Sequence, residues 1–239
     1  MTADRWTQAV RHQLGIGRLL PLGDARDGAW IAQRAAEGVL AGAVREVADV
    51  RLGTLRIALA DPGDTEEPSV PAPPSALPFG PLRVTAEFAA TAGRPLPATA
   101  ALLRRTLATA AAQRLGLTVS DVDLRVTGLL EEDAAEQPAG EEPGLPPEAQ
   151  AEDGDAGVAA AAARAVPGVA RLTGTLGRPV HVEEVAGEAG AALTHRHVRL
   201  EVAVSADHRG RDVARAVREA VGAALPDRPT VAVVVSAVG

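Results

Sequence analysis

The chain has no cysteine, no lysine and no tyrosine among its 239 residues, and its aromatics are two tryptophans and two phenylalanines. Without cysteine there is no disulfide, no thiolate nucleophile and no cysteine-ligated zinc. Without lysine, Schiff-base chemistry and a Walker lysine are excluded, and all 24 basic side chains are arginine. With so few aromatics the core must be built from Ala, Val and Leu. Each such side chain contributes modestly, because burial scales with apolar area at roughly 25 cal/mol per Å². Also missing is any apolar run near the roughly 20 residues of a membrane span, or a signal-peptide run after Arg5 and Arg11. The expected location is the cytoplasm, with peripheral attachment to the inner face of the membrane if a partner holds it there.

What is present is 46% hydrophobic residues, enough for one or two cores, and a formal charge of −7 that is unevenly placed. Residues 1–128 carry 14 basic and 13 acidic side chains, residues 129–155 carry no basic and 10 acidic, and residues 156–239 carry 10 and 8. The acidity therefore sits in one stretch, which also holds four prolines and little that could be buried. Such a stretch is expected to be a flexible, self-repelling linker.

On either side of that linker the same order of elements is expected. In the N-terminal part, Trp6, Val10 and Leu14 share a helix face within a lead-in of residues 1–27. A first unit over 28–128 begins with a helix from Trp30 to Ala48 and a strand from Leu52 to Leu59. Seven prolines over 61–81 then mark a long loop or disordered insertion. A strand from Leu82 to Phe88, a helix with Leu103, Leu107, Ala110 and Ala111 on one face, and a strand from Val119 to Val126 complete it. A second unit over 156–239 runs from an alanine-rich helix through Arg171-Leu172 to a strand over His197–Val204, a helix over Arg211–Ala224 and a strand over Thr230–Val238. Each reads α-β-β-α-β, around helix exits Val47-Ala48-Asp49-Val50 and Val166-Pro167-Gly168-Val169. The fold class expected is α+β: two small sheets, each packed by two helices.

The candidate sites are few. His195 and His197 would share a strand face as metal ligands must, with His208 or Glu201 as a third donor, but no recognised ligand spacing accompanies them. Ser205, Asp207 and His208 are the residue types of a hydrolase triad. Near neighbours in sequence do not bring their side chains into the required relay, so Asp207 reads as a turn or cap residue. Arg211, Arg215 and Arg218 line the outer face of their helix, with Asp212 and Glu219 spaced for ion pairs with Arg215. Together with Trp6 they are the candidate partner-binding residues. A nucleic-acid face would call for more positive charge and for stacking aromatics.

Gly28-Ala29-Trp30-Ile31-Ala32, the exit Val166-Pro167-Gly168-Val169 with Leu172, and the strand-helix-strand tails over Leu82–Val126 and Val198–Val238 resemble the alkaline shock protein family, linked to cell-envelope stress. The resemblance covers most of 28–128 and 156–239. It implies a small α+β domain, no catalysis, no cofactor and a peripheral role at the cytoplasmic face through protein partners. Two units and the insertion after Leu59 depart from that family's single-domain pattern. The function expected is a non-enzymatic structural or adaptor protein, open to homo-oligomerisation. The competing reading is a small nucleic-acid-binding module using the Arg211 helix.

Overall fold

The computed structural model describes residues 17–131, 145–150, 153–185 and 194–239. These residues form a mixed α+β structure with four α-helices and two sheets. The helix expected around Trp6, and most of the acidic stretch, lie outside the described residues.

In the smaller sheet β3 (Val50–Leu59) pairs antiparallel with β4 (Leu82–Thr91), which pairs parallel with β5 (Val119–Leu130). The alternation anticipated from the sequence sets its faces. Ile57, Val84, Ala86 and Phe88 are buried, while Arg83 reaches Asp121 and Asp123 on the other side at 3.6 and 3.4 Å. Helices α1 (Gln33–Arg45) and α2 (Leu96–Ala110) supply the cover, burying Leu40, Val44, Leu103 and Leu107. One π turn, Ala111–Leu115, ends α2 at Gly116, whose φ is 90°.

The larger sheet has the order β1 (Leu19–Pro21), β2 (Ala29–Ala32), β9 (Thr230–Val238), β8 (His195–Val204), β6 (Val169–Leu172). Strand β7 (Val180–Val185) lies on the same edge of β8 as β6, farther toward His195. β6 and β8 are antiparallel and β8 and β9 parallel, the senses found in β3-β4-β5. Helices α3 (Asp155–Arg164) and α4 (Gly210–Ala224) pack on this sheet through Ala159, Ala160, Ala163, Val213, Val217 and Val221. One continuous apolar cluster runs from Phe88 and Leu107 to Leu200 of β8 and to Val233 and Val235 of β9, so the two sheets share a core.

Several expectations need correcting. Ala29–Ala32 is not the first turn of a helix but strand β2, paired parallel with β9 through Ala29↔Val233 and Ile31↔Val235. The tetrapeptide fits either structure locally, and pairing with a strand some 200 residues away decides the matter. The described end of the lead-in joins the larger sheet as β1, paired antiparallel with β2. The segment 61–81 carries no helix or extended strand, but it is packed. Leu77 N–H donates to Leu19 O at 2.8 Å, Ser69 N–H to Ala25 O at 3.0 Å, and Val70 and Phe79 join Trp30, Ala232 and Val234 in a second apolar cluster on the sheet's outer face. Trp30 donates from Nε1 to Leu77 O at 3.3 Å and packs on Phe79 at 5.1 Å. Within the acidic stretch, Leu129 and Leu130 extend β5. Farther on, Ala149 N–H reaches Leu172 O at 3.0 Å and Glu148 pairs with Arg164 at 3.4 Å.

Two details recur. Asp49 (φ 66°) and Gly168 (φ 90°) are the left-handed residues at the helix exits; Asp49 O accepts from Thr91 N–H at 3.1 Å, and Gly168 O from Ser205 N–H at 2.9 Å. A bulge interrupts β4/β5 after Phe88 and β8/β9 after Val202. At those bulges the Thr127 hydroxyl donates to Phe88 O and the Ser236 hydroxyl to Val202 O, each at 3.2 Å.

Candidate functional site

A cluster of charged residues lies where α4 meets the turn between β1 and β2. Asp24 and Asp27 shape that turn. Asp27 N–H donates to Asp24 O at 2.9 Å, and Asp24 N–H to Asp27 Oδ2 at 3.0 Å. Gly23 sits beside them with φ 88°, and a Cβ there would lie 2.0 Å from Asp27 Oδ2 and 2.6 Å from Arg211 Nε. Only glycine lets the turn close this tightly.

Across the turn stand the arginines of α4. Arg211 donates from Nε to Asp27 Oδ2 at 2.7 Å and from Nη2 to Asp24 Oδ2 at 2.8 Å. Arg215 Nε lies 3.5 Å from Asp27 Oδ1, and Arg218 Nη1 donates to Arg26 O. Asp27 is buried, and Arg211 keeps only 25% of its side chain exposed. Arg211 is therefore a neutralised, half-buried tie and not a free surface charge; Arg215 takes Asp27 as its partner rather than Asp212 or Glu219. Asp212 instead lies 3.8 Å from Arg209, whose Nε donates to Ala112 O at the end of α2. Beyond the tie opens a cleft of about 520 Å³ lined by Arg26, Arg215, Arg218 and Arg228 against Asp27 and Glu219. Four guanidinium groups face two carboxylates, so the cleft favours an anionic group.

A second polar cluster lies on the outer face of β8. Buried Glu201 accepts from the Thr175 and Leu176 amides, each at 2.8 Å, and stands 3.0 Å from Thr173 Oγ1. Burial pushes the Glu201 carboxyl up from its ordinary value, against the opposing pull of those hydrogen bonds. Thr173 Oγ1 is also 2.7 Å from Ser236 Oγ, which itself donates to Val202 O. Glu201 thus accepts three hydrogen bonds, from the Thr175 and Leu176 amides and from the Thr173 hydroxyl.

The histidines are dispersed. His195 and His197 do share a face of β8, opposite Val185 and Glu183 of β7. His197 is buried with Nδ1 2.8 Å from Thr230 Oγ1, and burial, aided by Arg199, lowers its pKa to about 4. His208 lies past the other end of β8 and pairs with Asp207 at 2.8 Å, which draws the exposed Asp207 carboxyl down. His195, His197 and His208 are thus not brought together, and no group of three His, Asp or Glu able to hold a metal occurs among the described residues. Ser205, Asp207 and His208 form a turn, with His208 N–H donating to Ser205 O at 3.0 Å. Trp6 lies outside the described residues.

Sequence reading missed Asp24, Asp27 and the role of Glu201. The one available signal was an Asp-Gly pair just before an apolar tetrapeptide. No family model matches the chain, and comparison with curated proteins and with solved structures finds no match for it.

Proposed function

We propose that the chain is a non-enzymatic structural or adaptor protein of two duplicated α-β-β-α-β units, resembling the alkaline shock proteins of the envelope stress response and acting through protein partners. The observation that carries the duplication is the recurrence at matched positions. Left-handed residues Asp49 and Gly168, bulges after Phe88 and Val202, and the Thr127 and Ser236 hydroxyl bonds all fall at the same places in the two strand orders. Agreement at irregular positions is a stronger argument for common descent than agreement in alanine-rich helices, which arises by chance. The adaptor reading is supported by the fate of the polar clusters: Asp24, Asp27 and Glu201 are each engaged with neighbouring residues of the chain. In this reading the acidic stretch joins the units, and the cleft between Arg26 and Arg228 receives an acidic segment of the partner.

The test uses the full chain in its native cell, with a photocrosslinking residue in place of Arg228. A discrete crosslink to an envelope-associated protein that is lost in an Arg218→Glu/Arg26→Glu background is expected. Absence of any crosslink under envelope stress, or turnover of a small molecule that depends on Ser205 or His208, would overturn the reading.

A nucleic-acid-binding module is the second reading, and the excess of guanidinium groups in the same cleft favours it. Titration of a single-stranded RNA oligonucleotide at low salt separates the two. Affinity that falls steeply with salt and with Arg26→Glu and Arg228→Glu supports this reading, and no salt-dependent binding removes it.

A further inference from the structure

Among the described residues strand β5 is an open edge: its strand partner is β4 alone, and on the other side Arg104 Nε of α2 donates to Val122 O at 3.2 Å. The strand with the same connectivity in the larger sheet, β9, is instead flanked on both sides, by β8 and by β2. β5 is also long, 12 residues, and exposes Val126 (41%) and Leu129 (66%), two of the three large apolar side chains exposed among the described residues. An uncovered edge of this length offers unpaired N–H and C=O groups to another strand.

The order of residues along β5 says which strand. Pairing with β4 sets Val119, Val122, Leu124, Val126 and Leu129 on the apolar face and Asp121, Asp123 and Arg125 on the charged face. Reflected about Leu124, the strand matches itself. Val122 meets Val126, Val119 meets Leu129, Ser120 meets Gly128, and Asp123 meets Arg125. Gly128 has nothing within 4 Å of where a Cβ would be, so that position is open to a neighbour. Moving the centre to Asp123 sets Asp123 against itself, although Asp121 then meets Arg125; moving it to Arg125 sets Arg125 against itself and leaves Asp123 facing Thr127, and a one-residue slip sets charged against apolar side chains.

We propose that β5 pairs antiparallel with β5 of a second copy of this chain, about a twofold axis through Leu124, joining two three-stranded sheets into one six-stranded sheet. The contact is isologous, so the Asp123–Arg125 pairing occurs twice, and it closes without leaving a new edge for further addition. Arg83 and Glu87, already beside Asp123 and Arg125 on β4 at 3.4 and 3.2 Å, extend the two pairs into alternating charge across the joint. Val126 and Leu129 leave water when the sheets join.

The full chain is tested by sedimentation velocity with the variants D123R and R125D. Both side chains are exposed, 58% and 77%, so folding of the single chain is not at stake, and matching thermal melts check it. D123R sets arginine opposite Arg125 and R125D sets aspartate opposite Asp123, so each variant alone weakens the dimer by about tenfold or more. Mixed in equal amounts, the two again place opposite charges at both contacts, and the double variant D123R/R125D does so within one chain; both recover most of the lost affinity, short of wild type because the new charges face Arg83 and Glu87 of like sign on β4. A wild-type chain that stays monomeric at about 100 μM, a dimer indifferent to both single variants, or a dimer lost in the singles and not recovered on mixing would each overturn the proposal.

Discussion

At the scale of single residues, the chemistry of this protein lies in polar groups taken out of water. Burial holds the folded-state pKa of Glu201 above its ordinary 4.5, against the hydrogen bonds that it accepts. The sign follows: its contribution to stability is full below about pH 4.5 and is lost as pH rises through the folded value. Glu201→Gln removes the titrating group and should flatten the part of a stability-against-pH curve above pH 4.5, measured by urea unfolding. Glu201→Ala leaves two amides unpaired and should cost about 3 kcal/mol. His197 behaves oppositely to acid. Its pKa, lowered to about 4, makes the neutral ring the folded form, so stability is present above 6.5 and falls as pH drops from 6.5 toward 4. His197→Leu should remove that loss in the same urea series. Asp27→Ala strips half-buried Arg211 of one of its two carboxylates, leaving Asp24, and should lower stability by about 2 kcal/mol, with Asp27→Asn between it and wild type. None of these couplings was legible from sequence. Glu201, Thr173 and Ser236 come from three different strands or their ends, and nothing in the order of residues says that they meet.

At the scale of elements, the helices and most strands follow from periodicity. Leu103, Leu107, Ala110 and Ala111 are buried together, as their spacing requires. The exits are set by backbone conformation. At Gly168 a Cβ would stand 2.7 Å from His208 Cγ and from Val213 Cγ2, at φ 90°. Gly168→Ala should therefore destabilise by about 2 kcal/mol or more, through both strain and collision. Asp49 holds the matching left-handed conformation with a side chain, so Asp49→Gly should be neutral or stabilise by up to about 1 kcal/mol. Paired calorimetric melts of the two variants check the contrast. The prolines over 61–81 forbid regular structure and do not forbid order. Val70 and Phe79 anchor that segment on Trp30, a contact that proline content cannot report.

At the scale of the whole molecule, the apolar cluster from Phe88 and Leu107 through to Leu200 and Val233 predicts one cooperative thermal transition. Two resolved calorimetric transitions would mean that the sheets unfold separately. The same connection explains why the segment around Trp30, adjacent in sequence to the smaller sheet's elements, is built into the larger one. By itself the sequence determined the α+β class, the four helices with strands β3 to β6, β8 and β9 in their order, though not β1, β2 or β7, and which faces are apolar, because 3.6- and 2-residue periods are local properties. Only the tertiary structure decided that Ala29–Ala32 is a strand, that Arg211 is spent on Asp24 and Asp27, and that β9 is enclosed while β5, among the described residues, is an open edge. Each depends on groups up to some 200 residues apart, whose meeting is fixed by which surfaces can be buried together and not by any pattern within one segment.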